Sequence, residues 1–177
     1  NEQFVFSKTV VRYAKNVDNQ GFIYRKSEEW DVFWKEILVP ELDFYHHVLP
    51  AHNLEEIFYL SSKFRDNIHL YTVYSGNEMV GGTVLFIDKN VVHCQYISVK
   101  SKFREKKVLD FLFYKLIRED FKDYDYFDFG ISNEENGRKT NMGLLYWKEG
   151  FGARGVSQDF YKISTQNFSL IEKMFLK

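Results

Sequence analysis

One cysteine, two prolines and no surplus of either charge mark this 177-residue chain before any motif does. The lone Cys94 rules out an internal disulfide, so the fold holds without covalent staples, and a reducing, cytoplasmic setting is the expectation. His46, His47, His52, His69 and His93 show no Cys/His spacing suited to structural zinc, and no metal is expected. Lys and Arg number 24 against 25 acids, a net charge of −1. That balance excludes the diffuse basic field of a nonspecific nucleic-acid binder and leaves room only for a local basic patch. Apolar runs are short: residues 84–87 fall far below the ~20 residues of a membrane-spanning helix. No cationic start followed by an apolar core marks a secretion signal. The first residue is Asn, not Met. Two arrangements therefore stay open, a single domain over 1–177 or the C-terminal part of a longer two-domain parent.

What the chain does have is aromatic bulk, with 18 Phe, 12 Tyr and 3 Trp. Set beside 45% apolar and 28% charged residues, this is a globular composition with a core to fill. Residues 9–14 and 21–25 are short β-branched and aromatic runs that read as strands. Ser27 followed by Glu28 and Glu29 reads as a helix cap with acids in the first turn. Trp30, Phe33, Trp34 and Ile37 then recur at helical spacing until Pro40 is expected to stop them. Asn53 can cap a second helix carrying Leu54, Ile57, Leu60 and Phe64. Residues 68–74, 79–88 and 91–99 follow as three strands joined by tight turns, an antiparallel meander.

Val108, Leu109, Leu112, Phe113, Leu116 and Ile117 keep the i, i+3, i+4, i+7 pattern of a helix. A short aromatic strand over 124–129 comes next. Strand, helix, strand implies a crossover and a parallel pair inside an otherwise antiparallel sheet. Six of the ten glycines fall within 130–155, around a helix expected between Thr140 and Glu149, and 156–163 is expected to close as a strand. The fold class is α+β, a mixed, twisted sheet flanked by helices.

That element order resembles the GNAT-type N-acyltransferases. The residues carry the likeness further: Gly81-Gly82-Thr83-Val84-Leu85-Phe86, His93-x-Gln95-Tyr96-Ile97, Leu109-Asp110-x-Leu112-Phe113, Tyr126-Phe127-Asp128-Phe129-Gly130-Ile131-Ser132, and Asn141-x-Gly143-Leu144-x-x-x-Lys148-Glu149-x-Phe151-Gly152-Ala153-Arg154. These segments resemble a GNAT-like branch that includes the Fem-type aminoacyltransferases, and whose members accompany bacterial surface-polysaccharide genes. The resemblance covers roughly residues 27–163. It implies attack of an amine on an activated acyl carbonyl, with acyl-CoA (acetyl-CoA) as co-substrate and a small-molecule or sugar-linked acceptor. Such chemistry needs a donor for the oxyanion, a base for the ammonium proton and a cradle for the acyl donor.

In that family the strand before the crossover helix splays from its neighbour, which makes the backbone amides of Ile97 and Val99 the candidate carbonyl binders. An ordinary internal strand is the plain alternative. The following loop, 100–107, holds five cations, including Lys102, Arg104, Lys106 and Lys107. Aligned at Arg104 with the family's Arg/Gln-x-x-Gly-x-Gly/Ala pyrophosphate motif, Lys107 stands at the first glycine and Leu109 at the Gly/Ala position. Both small residues are replaced, and their side chains crowd a diphosphate held against the amides. Three readings stay open: acyl-CoA in altered geometry, an aminoacyl-tRNA donor as in Fem-type enzymes, or a non-catalytic binding module.

His93 and Gln95 lie two apart on one strand and are expected to share a face, with Cys94 and Tyr96 on the other. His93 is the candidate general base, Gln95 an orienting amide, and Tyr96 a proton-returning phenol. Asp128, at the carboxyl end of its strand, is a candidate acceptor ligand, as is Asn141, with helix capping as its alternative. Glu134, in the glycine-bearing loop, is a candidate proton acceptor. By resemblance Lys148 lies near the acceptor or the developing oxyanion, where a fixed ammonium stabilises negative charge. Arg154 can clamp a carboxylate or phosphate. His52 reads as a rim residue with a capping role.

Overall fold

The computed structural model of the chain describes residues 5–159, 162 and 164–170. The first element is a helix, α1 (Lys8–Asn19), where the β-branched run at 9–14 predicted a strand. Its buried positions, Val10, Ala14 and Val17, recur at helical spacing, and the Ser7 side chain caps it by accepting the Val10 N–H at 3.2 Å. Side-chain periodicity thus outweighs the intrinsic preference of Thr9, Val10 and Val11. Strand β1 (Phe22–Ser27) follows. Ser27 is its last residue and accepts the Glu29 N–H at 3.1 Å. It orders the turn into the next helix without occupying the cap position, which belongs to Glu29.

Pro40 does not stop that helix. The one-turn α2 (Trp30–Phe33) runs through a π-helical turn, Trp34–Leu38, into α3 (Val39–His46). In the π turn Val39 N–H bonds to Trp34 O, five residues back. Widening the turn just ahead of Pro40 accommodates a residue that has no N–H to give and whose ring would strike the preceding turn. The helix ends at His47, left-handed at φ 54°. Asn53 caps α4 (Leu54–Lys63) in a reciprocal box with Glu56. Phe64, expected on its buried stripe, is the exposed cap residue at its end.

Strands β2 (Ile68–Ser75), β3 (Glu78–Asp88) and β4 (Val91–Val99) form the expected meander, and β1 adds to its outer edge. A 3₁₀ stretch, Ser101–Lys106, leads into α5 (Val108–Lys115) and a second π turn, Leu116–Asp120. Strand β5 (Tyr126–Asp128) then pairs in parallel with β4, giving the order β1-β2-β3-β4-β5. A small hairpin, β6 (Asn133–Glu134) and β7 (Lys139–Thr140), precedes α6 (Met142–Glu149). Residues 156–159 are irregular, not the start of a closing strand; positions 160, 161 and 163 of that expectation lie outside the described residues.

The sheet separates two cores. On one face α1 and α5 pack with Phe151 over Val73, Leu85, Val92, Cys94 and Val99. On the other, α2, the first π turn and α4 pack over Leu70, Val84 and Tyr96. Cys94 and Tyr96 therefore lie on opposite faces, contrary to the alternation read from sequence. A bulge explains it: Leu85 pairs with Cys94 and Val84 with Tyr96, leaving Gln95 as the extra residue. One inserted residue flips every side chain beyond it.

Candidate active site

Strands β4 and β5 pair at only three positions, Val91 with Tyr126, Val92 with Phe127 and His93 with Asp128. Beyond His93 that edge of β4 has no strand partner among the described residues. The phase of the edge follows from one hydrogen bond, Lys100 N–H to Val80 O at 2.8 Å. In an antiparallel ladder successive residues point to alternate sides. Lys100 and Ser98 therefore face β3, and the N–H groups of Ile97 and Val99 point away from it. Past His93, this edge of β4 therefore carries two outward amides, Ile97 and Val99, that no strand pairs among the described residues.

Where the pairing ends, His93 Nδ1 lies 2.7 Å from Asp128 Oδ2. The other carboxylate oxygen accepts the Gly130 N–H, also at 2.7 Å. Burial pushes the Asp128 pKa up, but the Gly130 amide, His93 and the Lys148 charge outweigh it and hold the carboxyl below its ordinary value. Lys148 is only 5% exposed. Its ammonium donates to the carbonyls of Gly130 at 2.9 Å and Ile131 at 2.7 Å. Two of its three protons are thus committed to the turn after β5. Burial lowers its pKa, against the opposing pull of Asp128. Lys148 acts on Asp128 through its charge and, by fixing Gly130, through the chain.

With Gln95 as the bulge residue, His93 and Tyr96 come to one face of the sheet, the face of α2 and α4. Tyr96 Oη accepts the His52 backbone N–H at 3.1 Å and lies 2.6 Å from His52 Nδ1. Its ring meets Trp34 edge-on at 5.1 Å. The rim position expected for His52 is in fact the partner of the Tyr96 phenol. Gln95 makes no side-chain hydrogen bond among the described residues. Cys94 is buried, and burial holds its thiol well above the ordinary value, so it is not a nucleophile.

The cationic loop is largely neutralised from within. Lys100 pairs with Glu78 and Glu36, Lys102 with Glu78, and Arg104 with Glu41. Lys106 and Lys107 have no ion pair among the described residues. Lys107 adopts the left-handed conformation, φ 63° and ψ 37°, immediately before α5. A glycine adopts that geometry without strain, so the backbone shape survives although the residue is lysine. Leu109 is half-buried against the α1–α5 core.

The remaining predicted residues are tied up locally. Asn141 caps α6 by accepting the Leu144 N–H at 3.0 Å and donates to Glu134 at 2.8 Å. Glu134 also lies 3.6 Å from Lys139. Arg154 donates to the Ala153 carbonyl. The structure thus gathers His93, Asp128 and Lys148, and separately Tyr96 with His52, while Glu134 and Asn141 serve the hairpin and helix beside them and Arg154 bonds the adjacent Ala153 carbonyl. Sequence reasoning missed Glu41 and Glu78, which lie in other elements and carry no local signal. No group of three or more metal-ligating side chains occurs among the described residues.

Against this geometry stand the comparisons with known proteins. The profile of a family described as an acetyltransferase (GNAT) domain matches residues 23–148. Among curated proteins nothing matches. Among solved structures, FemX superposes with a TM-score of 0.65 at 10% identity, over 83% of this chain and 54% of its own. A possible acetyltransferase from Clostridium difficile 630 superposes at 0.58 with 11% identity, over 81% and 97%. AAC(6')-Iy, in complex with the bisubstrate analogue CoA-S-monomethyl-acetylneamine, superposes at 0.56 with 15% identity, over 81% and 97%. At such identities the likeness is one of fold. The chain spans about half the length of FemX.

Proposed function

Because the chain belongs to the GNAT acetyltransferase family, and so is an N-acyltransferase, we propose that it moves an acetyl group from acetyl-CoA to the amine of an amino sugar in a surface-polysaccharide precursor. The observation that carries this reading is the free edge of β4: its pairing with β5 ends at His93, and the amides of Ile97 and Val99 point outward beyond it, where we place the acyl donor. A thioester laid along that edge directs its carbonyl oxygen to unpaired N–H groups, which stabilise the charge that develops there. His93, held by Asp128, takes the proton of the incoming ammonium. A nitrogen–carbon bond forms, the carbon–sulfur bond breaks, and the thiolate leaves to take up a proton. Gln95 and Tyr96 border the same region and are assigned to the acceptor.

The amino-sugar assignment draws on the quoted sequence segments. It draws also on AAC(6')-Iy, solved with an acetylneamine-bearing analogue, and on a metagenomic aminoglycoside acetyltransferase solved with sisomicin, TM-score 0.55. Calorimetric titration with CoA, followed by a thiol-release assay over a panel of free and nucleotide-linked amino sugars, tests it. Saturable CoA binding and amine-dependent thiol release are expected. Folded protein that binds no CoA and releases no thiol overturns the acetyl-CoA reading, and transfer from aminoacyl-tRNA instead would replace the donor.

A further inference from the structure

Glu41, on α3, reaches the loop that follows β4. Its side chain is only 13% exposed. One or both of its oxygens accept the Ser101 N–H at 2.7 Å, the Ser101 hydroxyl at 2.9 and 2.8 Å, and the Arg104 guanidinium at 3.3 Å. One helical turn on, Tyr45 Oη lies 3.2 Å from Ser101 Oγ, and the Arg104 guanidinium stacks 3.8 Å from the Tyr45 ring centre. An amide N–H, a hydroxyl and a guanidinium converging on one point is the donor set that a phosphate group takes. Here a carboxylate of the same chain holds that point. The neighbouring Lys100 and Lys102 are matched by Glu36 and Glu78, so the loop is divided. Its first half is neutral, while its second half, exposed Lys106 and Lys107, forms no ion pair among the described residues. The opposing charge that Lys107 feels is the Asp110 carboxylate in the first turn of α5.

We propose that Glu41 is an internal anion that closes the Ser101–Arg104 half of the loop to the donor's phosphates, which are met instead by Lys106 and Lys107. Glu41 is then a specificity-determining residue. It removes the part of the cradle that would otherwise hold any small diphosphate, and it accounts for a lysine in left-handed geometry where a glycine would leave no charge. This inference rests on the acyl-CoA reading for the identity of the donor, though not for the existence of the closed cradle.

Calorimetry on the full chain with two probes, CoA and inorganic pyrophosphate, at about 0.15 M salt separates the two claims. Glu41→Gln keeps the volume and removes the charge. It is expected to tighten CoA by up to about fivefold, the scale of one charge contact, and to strengthen pyrophosphate binding by a similar factor. Arg104→Gln is expected to change CoA affinity by less than about twofold alone but to cancel the gain in the Glu41→Gln background. Lys106→Gln is expected to weaken CoA binding outright. Glu41→Ala is run in parallel, because Glu41 also ties α3 to the loop; a gain in either folded variant supports the proposal. No gain for either probe in either variant overturns it, as does Arg104→Gln weakening CoA as much as Lys106→Gln. Pyrophosphate binding strengthened by Glu41→Gln while CoA is ignored by every protein keeps the Glu41 assignment and removes the acyl-CoA reading.

Discussion

Asp128 accepts from Gly130 with one oxygen and meets His93 with the other, which is how an imidazole is fixed in one orientation and one tautomer. Asp128→Asn keeps the shape and removes the charge. In the proposed reaction it is expected to lower kcat by about a hundredfold, the lower end of what acid–base assistance contributes, with the KM for acetyl-CoA unchanged. Acid titration offers an independent check. The Asp128 pKa is held below its ordinary value in the folded chain, so its stabilisation is complete above the unfolded value and is lost as pH falls through the folded one. Acid-unfolding curves of the protein and of Asp128→Asn should therefore differ at neutral pH and converge at the acid end. Lys148 lies one step further out. Its buried ammonium carries a desolvation cost, so Lys148→Met is expected to change stability by less than about 1 kcal/mol in urea. It should nevertheless lower kcat about tenfold by loosening the Gly130 turn that places Asp128. A large loss of stability with unchanged kcat would make the ammonium a structural strut.

At the scale of the element, β3 and β4 set the site by close approach and by one inserted residue. A Cβ at Gly82 would stand 2.6 Å from the Tyr71 carbonyl oxygen and 3.1 Å from Phe33. Gly82→Ala is therefore expected to cost about 1–3 kcal/mol in chemical unfolding. Asn53→Ala, which opens the α4 capping box, should cost about 1 kcal/mol, and it should also disturb the adjacent His52–Tyr96 contact. Much of this level was legible in the sequence. The three-strand meander, the α5 stripe and the Asn53 cap rest on local periodicity and turn chemistry, and they stand where those signals put them. The strand read at 9–14 came from β-branched residues whose helical spacing at Val10, Ala14 and Val17 was the stronger signal. Pro40 marks its place in the sequence, but residue type does not say whether the helix stops there or widens into a π turn and continues. The bulge at Gln95 leaves no mark in residue type and is set by the pairing of β4 with β3. The pairing of His93 with Asp128 depends on a parallel register across 35 positions, and Glu41 meets Ser101 across 60. Local pattern supplied the candidate His93, and only the fold could supply its partner.

For the molecule as a whole, the sheet is a partition: one core lies under α1 and α5, the other under α2 and α4. Strand β4 borders both cores: His93 and Tyr96 look toward the second, while Val92 and Cys94 anchor it in the first. Disturbance in one core should then reach the other only through β2, β3 and β4, whose hydrogen-bonded backbone resists small shifts. Ile117, 2% exposed, and Ile37, fully buried, sit in the first and second cores. Removing one methylene from either, as Ile117→Val or Ile37→Val, is expected to cost about 0.5–1.5 kcal/mol. The double variant should cost the sum to within about 0.5 kcal/mol, as for distant sites without shared partners. Urea unfolding with one transition and additive costs is the expected result. Ile37 alone lies in the core that supports Tyr96, so Ile37→Val should raise the KM of the acceptor in the proposed reaction while Ile117→Val leaves it unchanged. Coupling above about 1 kcal/mol between the two sites would mean that the sheet transmits packing strain, and the separate treatment of donor edge and acceptor face would fail with it.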